Sequence, residues 1–314
     1  MSLLFNFIYD VFYNDVNQLI IIMPSETKEE TIYYVCPDNK CVSFYLHKCP
    51  HNHTFIYTIN VTFTRRVRLL FKDQLVMVNV NKYPQFKDEI IFSTIVNNED
   101  KYIKQWIDFH LKIGVTRFII YDNSNENTLP EVLRNYIINN QVVLIKWNYP
   151  YRLPVSGISG QTTQQNHSIY AFKTSKFIGL FDVDEYVNIQ KKSGFSDINS
   201  YLQKVILKNK MNIDNVGSFR LLNKNFYNPD NLSTDGTDFL KITTCDNILL
   251  EGHEKNFVIP KNVNTFSVHM ITDGKPMVTL NHECIYFNHY IFLNKDGKRG
   301  CEERPPYIDD SILY

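Results

Sequence analysis

The sequence predicts an α/β fold in which a mostly parallel sheet carries helices on both faces and follows a small β-rich module. From residue 88 onward, apolar runs of strand length alternate with segments of helical period, as in a series of βαβ units. Before that point, residues 31 to about 80 alternate β-branched and aromatic residues between short turns. Polar and acidic residues directly follow three of the later strands, which is where open α/β sheets bind ligands. These observations divide the chain into a β-rich module, residues 1–85, and an α/β domain, residues 86–314.

Five segments of the N-terminal module have the composition of strands: Thr31–Cys36, Cys41–Leu46, Thr54–Phe63, Val67–Phe71 and Gln74–Val80. Three cysteines and three histidines also lie close together in this part of the sequence: Cys36, Cys41, Cys49, His47, His51 and His53. Ligands this dense could bind zinc, but their spacing matches no zinc-ribbon or zinc-finger pattern. Free thiols on surface hairpins are therefore the favoured interpretation, with a zinc site as the alternative.

The first 23 residues are apolar but include Asp10 and Asp15, and they lack the basic n-region and cleavage site of a signal peptide. Their uninterrupted apolar run, Leu19–Met23, is far shorter than the roughly 20 residues that span a membrane. Lys plus Arg and Asp plus Glu each number 33, a balance that disfavours nucleic-acid binding. We therefore expect a soluble cytoplasmic protein. The composition, rich in Asn, Ile and Lys, is typical of AT-rich coding and favours a large DNA virus or an AT-rich microbe as the source.

The α/β domain begins with the predicted strand Ile90–Val96. Asn98 is the expected N-cap of the next helix, whose apolar residues recur at helical spacing until Gly114 ends it. The later elements are a strand at Val115–Tyr121, a helix from Thr128 to about Asn139, a strand at Val142–Trp147, a helix near Gln161–Thr174 and a strand at Phe177–Phe181. Because these strands are apolar on both faces, helices are expected to cover both sides of the sheet.

Three polar clusters follow the predicted strands: Asn97–Asp100, Asp122–Asn125 and Asp182–Glu185. The sequence contains no G-x-G-x-x-G and no Walker A motif, so a phosphate group bound here would need a cation to neutralise it. The carboxylates of Asp182 and Asp184 suit Mg²⁺ or Mn²⁺, either of which can bridge two phosphate oxygens. Phosphatases of the haloacid dehalogenase type also place Asp-x-Asp after an apolar strand. Tyr186 and the position of the motif on the fourth strand disfavour that alternative.

Several segments follow the order seen in a known family. They are Asn98-Glu-Asp-Lys-Tyr-Ile-Lys-Gln-Trp-Ile-Asp-Phe-His110, Gly114 to Asn123 with Phe118-Ile-Ile-Tyr-Asp-Asn123, Phe181-Asp-Val-Asp-Glu-Tyr-Val187, Lys255-Asn-Phe-Val-Ile-Pro260 to His269, and Asn288-His-Tyr290 to Gly300. Together they resemble glycosyltransferase family 92 and its relatives in the family 2-like group, over about residues 90 to 300. The segment Gln161-Thr-Thr-Gln-Gln-Asn-His-Ser168 also matches a family stretch, except that His167 and Ser168 stand where the family usually has Asp-Cys. The loop 223–238 matches poorly.

The resemblance implies a glycosyltransferase A-type fold with a Rossmann-like sheet. It also implies transfer of a sugar, with inversion at the anomeric carbon, from a nucleotide-sugar donor to a glycan or other hydroxyl acceptor. The donor is usually a uridine diphosphate (UDP) sugar, and Mn²⁺ or Mg²⁺ is the cofactor. The matched segments supply these candidate nucleotide contacts: Asn98, Glu99, Asp122, Gln161 and Asp182.

For the metal, the resemblance implies Asp184 as the principal ligand, with Asp182 beside it. A histidine near the C-terminus is expected to complete the site, with His289 as the first choice and His269 as the second. If the strand geometry continues through the motif, Glu185 points to the opposite side of the chain.

Inversion requires a base that removes the proton of the acceptor hydroxyl. Asp235 and Asp238 lie in the segment expected to face the acceptor and are the candidates for this role. Two other functions remain open. A nucleotidyl- or phosphotransferase would use the same metal and phosphate chemistry, and a catalytically inactive relative would bind glycan or nucleotide without turnover.

Overall fold

The computed structural model describes residues 8–24, 31–49, 54–154, 157–228, 238–293, 307–309 and 311–313. The strands, in chain order, are β1 Asp10–Tyr13, β2 Gln18–Pro24, β3 Ile32–Val35, β4 Cys41–Ser43, β5 Tyr45–Cys49, β6 Thr54–Asn60, β7 Arg66–Phe71, β8 Gln74–Asn79, β9 Asn81–Lys82, β10 Ile90–Val96, β11 Arg117–Asp122, β12 Val142–Lys146, β13 Phe177–Leu180, β14 Glu185–Ile189, β15 Ser218–Phe226, β16 Thr244–Cys245, β17 Leu250–Val258, β18 Val263–Ser267, β19 Met270–Gly274, β20 Met277–Thr279, β21 Ile285–Tyr290 and β22 Tyr307–Ile308. The helices are α1 Asp100–Lys112, α2 Leu129–Val132, α3 Arg134–Ile138, α4 Ser159–Ala171 and α5 Ile198–Lys208. None of the described helices is both long enough and apolar enough to cross a membrane.

The chain forms two compact units, and each is built from separate stretches of sequence. The first unit combines residues 1–88, 148–176 and 259–275, and the second combines residues 89–147, 177–258 and 276–314. This grouping differs from the sequence-based division at residue 85, because two later segments join the N-terminal strands. Those segments carry α4 and the antiparallel pair β18–β19.

The first unit contains two antiparallel-rich sheets, in the strand orders β5-β6-β2-β1-β9 and β4-β3-β7-β8. Apolar side chains from both sheets share one core, which includes Leu19, Ile21, Val67 and Leu69. The apolar N-terminal segment therefore supplies β1 and β2, two strands that sequence reasoning did not assign. Asp10 in β1 is nonetheless buried.

The buried Asp10 carboxylate has three side-chain partners. It accepts hydrogen bonds from Asn81 Nδ2 at 2.8 Å and Tyr83 Oη at 2.5 Å, and it lies 2.8 Å from His167 Nε2. Burial alone would raise the pKa of Asp10, but His167 and the two hydrogen bonds hold it below its usual value. A buried carboxylate in an apolar core is thus compensated by specific polar partners.

Helix α4 is polar in sequence, yet every one of its residues is buried. Its side chains bond to the rest of the first unit. Thr163 and Thr54 share a hydroxyl contact of 2.9 Å, and Asn166 donates to the carbonyl of Phe266 at 2.7 Å and accepts from its amide at 2.9 Å. The helix has no amphipathic pattern, and hydrogen bonds such as these satisfy several, but not all, of its buried polar groups within the described residues.

The proposed thiol and histidine cluster lies in the first unit. Cys36, Cys41 and Cys49 are free cysteines in the described residues. Cys49 is buried and contacts the carbonyl of Phe266 at 3.6 Å. His51 and His53 lie outside the described residues.

The second unit contains an eleven-stranded sheet whose main path is β12-β11-β10-β13-β17-β15-β16-β22. The strands β12, β11, β10 and β13 are parallel, as the sequence predicted. Beyond β13 the sheet becomes mixed, because β17 pairs antiparallel with both β13 and β15. The chain order reverses between β10 and β13, which is the kind of position where open α/β sheets bind ligands.

Helix α1 presents Ile103, Trp106, Ile107 and His110 as buried residues, in agreement with the predicted helical period. It begins one residue later than expected. Asn98 has a left-handed backbone, with φ of 57°, and Glu99 is the N-cap. The predicted helix from Thr128 to about Asn139 is split at Leu133 into α2 and α3.

Candidate active site

Several polar residues lie at one edge of the second unit because their strands are in register there. Val96, the last residue of β10, is the partner of Asp122 in β11, and Asp122 is the partner of Lys146 in β12. On the other side of β10, Ser93 is the partner of Leu180, near the end of β13. The carboxyl ends of four parallel strands therefore meet at this edge.

Asp122 is almost fully buried and has two partners at this edge. Its Oδ1 accepts a hydrogen bond from the Ser124 amide at 3.0 Å, and its Oδ2 pairs with Lys146 Nζ at 2.9 Å. Lys146 also donates to the Ser124 carbonyl at 2.8 Å, and the amide of Asn98 donates to Ser124 Oγ at 2.8 Å. This network fixes the loops after β10 and β11. The neighbouring Glu99 is half-buried.

The acidic segment after β13 forms a turn. The amide of Glu185 donates to the carbonyl of Asp182 at 3.1 Å, and the amide of Asp182 donates to Glu185 Oε2 at 2.9 Å. Lys255, from β17, is buried and lies 2.7 Å from Asp182 Oδ2 and 3.0 Å from Glu185 Oε2. One ammonium group thus joins two of the carboxylates.

Asp184 has a different partner, His289, whose Nε2 lies 3.4 Å from Asp184 Oδ2. The strands β14 and β21 create this proximity, because Glu185 and His289 are cross-strand partners and the Tyr290 amide donates to the Asp184 carbonyl at 2.9 Å. One ligand atom from each of Asp184, Glu185 and His289 lies within 4.8 Å of the other two. Among the described residues, this is the group of acidic, His or Cys side chains that could share a metal ion.

Burial and neighbouring charges perturb the titration of this group. Burial, together with Asp182 and Asp184, raises the pKa of Glu185 to about 7, although Lys255 opposes the rise. Burial would also raise the pKa of Asp184, but His289 and Lys255 hold it below its usual value. Burial would lower the pKa of His289, but Asp184 and Glu185 raise it. The titration of these three side chains is therefore coupled through their mutual contacts and through Lys255.

The donor atoms fit a divalent cation. Two carboxylates and one imidazole form a ligand set that proteins use for such ions, and carboxylate oxygens in particular suit Mn²⁺ and Mg²⁺. The side chain of Trp106 fixes the backbone that carries one of these ligands, because Trp106 Nε1 donates to the Glu185 carbonyl at 3.0 Å. Asp184, Glu185 and His289 would hold the ion, and Asp182 lies beside them.

The expectation that Glu185 points away from the site was wrong. It assumed an extended strand through residues 182–185, in which alternate side chains face opposite sides. The backbone turns at this point instead and brings the Glu185 carboxylate to Asp184 and His289.

Other predicted site residues lie in different places. Gln161 is in α4 of the first unit, where its Oε1 accepts from Tyr151 Oη at 2.8 Å. His269 also belongs to the first unit, between β18 and β19. Asp238 begins a short 3₁₀ turn, Asp238–Lys241, and Asp235 lies outside the described residues.

Sequence reasoning assigned no role to Lys146 or Lys255. Lys255 is buried in β17, but its sequence neighbours Glu254 and Asn256 are also polar, so the local sequence carries no signal of its burial. A lysine is almost never fully buried unless it is paired, and the partners of Lys255 become visible only in the structure. Lys146 ends an apolar strand and resembles an ordinary surface lysine in the sequence, so its pairing with Asp122 could be found only from the register.

The model of the family described as glycosyltransferase family 92 matches residues 92–309. A glycosyltransferase family 92 protein of Ricinus communis is 24% identical over 212 residues, which cover 65% of this chain and 35% of that protein. A glycosyltransferase family 92 protein of Arabidopsis thaliana is 25% identical over 220 residues, which cover 66% of this chain and 36% of that protein. The chain thus spans about a third of the length of the curated relatives it matches.

Solved structures with a related arrangement include residues 1–349 of TarS from S. aureus. That structure is 15% identical, has a TM-score of 0.35, and is matched over 65% of this chain and 60% of its own. The same TarS fragment in complex with UDP gives a TM-score of 0.31 at 15% identity, over 51% of this chain and 40% of its own. The parallel strand order β12-β11-β10-β13 and the family match confirm the expected α/β fold of the glycosyltransferase A type.

Proposed function

The chain belongs to glycosyltransferase family 92, and on that premise we propose that it is a glycosyltransferase whose reaction depends on a metal and uses a UDP-sugar donor. The sugar is transferred with inversion to a hydroxyl group of a glycan or glycoconjugate. The family resemblance supports the choice of donor and the inversion. The acidic group at the ends of β13, β14 and β21 supports the requirement for a metal.

The observation that carries the proposal is the proximity of Asp184, Glu185 and His289, whose ligand atoms lie within 4.8 Å of one another. A bound Mn²⁺ or Mg²⁺ would neutralise negative charge on the departing nucleoside diphosphate. The imidazole of His289 favours Mn²⁺ of the two, because imidazole is a softer ligand than a carboxylate. Lys255 holds Asp182 and Glu185 in place, so the ligands are oriented before the donor binds.

The nucleotide is proposed to bind at the edge formed by the ends of β10 and β11. Asn98 and Glu99 flank this edge, and the contacts of Asp122 with Lys146 and Ser124 keep its loops in one conformation. Asp182, whose side chain is 40% exposed, is available for a ribose or metal contact on the same side. Gln161 stays a candidate contact from its sequence match alone.

A base must remove the proton of the acceptor hydroxyl as its oxygen attacks the anomeric carbon. Asp235 and Asp238 remain the candidates from the sequence. Their segment belongs to the loop expected to face the acceptor, and carboxylates are suitable bases for this step.

The proposal is tested by incubating the purified protein with a panel of nucleotide sugars, with Mn²⁺, with Mg²⁺ and with EDTA. We expect Mn²⁺-dependent release of nucleoside diphosphate from a UDP-sugar, and an increase in melting temperature with UDP and Mn²⁺ together. The Asp184→Asn variant is the control, because it keeps the side-chain volume and removes the ligand charge. Release of pyrophosphate from a nucleoside triphosphate would instead indicate a nucleotidyltransferase. Binding without turnover, unchanged in Asp184→Asn, would indicate an inactive relative.

A further inference from the structure

A row of polar residues runs across the sheet of the second unit, starting at the acidic group. Glu185 in β14 is the partner of His289 in β21, and His289 is the partner of Asn225 in β15. The next residue in the row is Asp246, which directly follows β16 and whose amide donates to the Asn225 carbonyl at 3.0 Å. Asp246 extends the register of the antiparallel pair Phe226–Cys245 by one residue.

Direct cross-strand partners present their side chains on the same face of a sheet. Asp246 therefore faces the same side as Asn225, His289 and Glu185. The opposite face of the same strands carries Lys224, the partner of Asn288. The carboxylate of Asp246 and the candidate metal ligands thus share one face of the sheet.

The Asp246 carboxylate is buried, with 2% of the residue exposed, and the described residues satisfy only one of its oxygens. Oδ1 accepts a hydrogen bond from Tyr227 Oη at 2.8 Å. Oδ2 is buried and has no hydrogen-bond partner among the described residues. A buried polar atom without a partner destabilises the folded state. Such a cost is retained most readily where the atom has a function.

Asp309, on the opposite face, shows what a structural carboxylate of this unit looks like. Its Oδ2 pairs with Lys224 Nζ at 2.6 Å and accepts from Tyr286 Oη at 2.6 Å, and its Oδ1 accepts from the Ser311 amide at 3.0 Å. Both oxygens are in use. Asp246 differs from Asp309 in having one oxygen still available to accept a proton.

We propose that Asp246 is the general base of the transfer reaction, an assignment that rests on the proposed function. Two strand spacings separate Asp246 from His289, a distance of about 10 Å along the row. With the diphosphate at the metal ligands, that distance leaves room for one sugar ring between the leaving group and the base. Inversion requires this arrangement, because the acceptor attacks from the side opposite the leaving group.

The acceptor oxygen forms a bond to the anomeric carbon while its proton passes to Asp246 Oδ2. The bond from the anomeric carbon to the phosphate oxygen breaks, and its electron pair leaves with the nucleoside diphosphate. Tyr227 acts as a positioning residue, because its hydroxyl holds Oδ1 and so directs Oδ2.

The test compares Asp246→Asn, Asp246→Glu and Tyr227→Phe with the wild type, after a donor and an acceptor have been found. Asp246→Asn is expected to lower kcat by about 10²–10⁴-fold, while Mn²⁺-dependent UDP binding, measured by calorimetry, is unchanged. Asp246→Glu restores a carboxylate and should recover part of the lost rate. Tyr227→Phe should lower kcat several-fold and leave the KM for the donor unchanged. Asp309→Asn is the matched control for the loss of a buried carboxylate and should change stability without a comparable loss of kcat.

Two further variants separate this proposal from the sequence-based candidates. If Asp235→Asn or Asp238→Asn abolishes transfer while Asp246→Asn stays within a few-fold of the wild type, Asp246 is not the base. If Asp246→Asn does not fold, the Tyr227→Phe variant decides the question. A kcat of Tyr227→Phe equal to that of the wild type would then overturn the proposal. If the wild-type protein transfers no sugar, the proposed function itself is refuted. The assay of the wild type gives this result before any variant is made, so the two failures can be told apart.

Discussion

Lys255 Nζ lies between Asp182 Oδ2, at 2.7 Å, and Glu185 Oε2, at 3.0 Å. The lysine side chain is 3% exposed, so its charge is compensated by these carboxylates rather than by water. The pKa of Lys255 is held well above its usual value by Asp182 and Glu185, even though burial alone would lower it. The two carboxylates therefore favour the charged form of the ammonium group.

The first prediction concerns stability. Lys255→Met removes the ammonium and leaves the buried carboxylate of Glu185 without its counter-charge, which is expected to cost about 3–5 kcal/mol of unfolding free energy. Urea unfolding of both proteins measures the change. Lys40→Met removes an exposed lysine that pairs with an exposed Asp38 and should leave the unfolding midpoint unchanged. Equal midpoints for Lys255→Met and the wild type would show that the buried pair contributes nothing.

The second prediction ranks the two aspartates of the motif. A carboxylate that binds the metal directly contributes charge that an amide cannot replace, so Asp184→Asn should abolish turnover, a loss of several kcal/mol. Asp182→Asn alters a proposed hydrogen bond to the ribose, worth about 1–2 kcal/mol of transition-state stabilisation, and should retain metal-dependent activity. Titration of Mn²⁺ against UDP binding measures both variants. Equal, metal-responsive binding in Asp184→Asn and the wild type would remove this aspartate from the metal site.

The third prediction departs from the sequence-based expectation for Glu185. Because its carboxylate lies beside the Asp184 carboxylate and the His289 imidazole, Glu185→Gln should reduce the Mn²⁺ response of UDP binding about as strongly as Asp184→Asn does. The exposed Glu131→Gln is the matched control, since Glu131 lies on the surface beside Arg134. An unchanged Mn²⁺ titration in Glu185→Gln would limit this residue to holding Lys255.

The fourth prediction is a pH dependence of stability. His110 is completely buried among Phe92, Trp106 and Tyr186, and burial lowers its pKa to about 3. The unfolded chain binds the proton near pH 6.5 and the folded chain does not, so stability falls as the pH drops below 6.5. Between pH 7 and pH 5 this group alone should account for about 2 kcal/mol.

Unfolding of His110→Gln and of the wild type at both pH values tests the fourth prediction. The variant is less stable overall, but its loss between pH 7 and pH 5 should be smaller than that of the wild type. His282→Gln changes an exposed histidine and should keep the wild-type pH dependence. An identical pH dependence in His110→Gln would exclude His110 as its source.

The fifth prediction concerns helix α4. A Cβ atom at position 160 would lie 2.1 Å from the Pro150 carbonyl oxygen and 2.7 Å from the Tyr151 Cα. Both atoms belong to the backbone and cannot rotate away, so Gly160→Ala should cost at least about 1–3 kcal/mol. Ser159→Ala is the neighbouring control, because it removes a buried hydroxyl that has no hydrogen-bond partner. A melting temperature of Gly160→Ala equal to that of Ser159→Ala would contradict the close approach.

The parallel strands were predictable because each carries a continuous apolar run. Ile90–Val96 was predicted with the bounds that β10 has, and Phe177–Phe181 differs from β13 by one residue. The strand β1 was missed because it begins with a charged residue, Asp10, and β2 was missed although its apolar run Leu19–Met23 is uninterrupted. The partner that makes a buried Asp10 tolerable, His167, lies far away in the sequence and could not be inferred from local composition.

The acidic residues of the candidate site were predictable from the sequence, but the lysine that pairs with them was not. Asp182 and Asp184 follow an apolar strand, and that local pattern carries chemical meaning by itself. Lys255 reaches them only through the antiparallel pairing of β13 with β17, in which Leu180 is the partner of Asn256. The position of Glu185 depended on a turn whose hydrogen bonds involve side chains, and strand alternation alone predicted the wrong side.

The separate stretches that build the first unit also set the order in which it can be completed on the ribosome. Strands β1 to β9 emerge first, but α4 and the β18–β19 pair, which belong to the same unit, emerge much later. Synthesis of residues 89–275 takes roughly 10–40 s at common elongation rates of about 5–20 residues per second. During that interval the polar partners of buried groups such as Asp10 and Thr54 have yet to be made. The nascent chain is therefore expected to depend on chaperones until residue 275 is synthesised. For the same reason, a fragment beginning at residue 86 would retain α4 without the strands that satisfy its polar side chains.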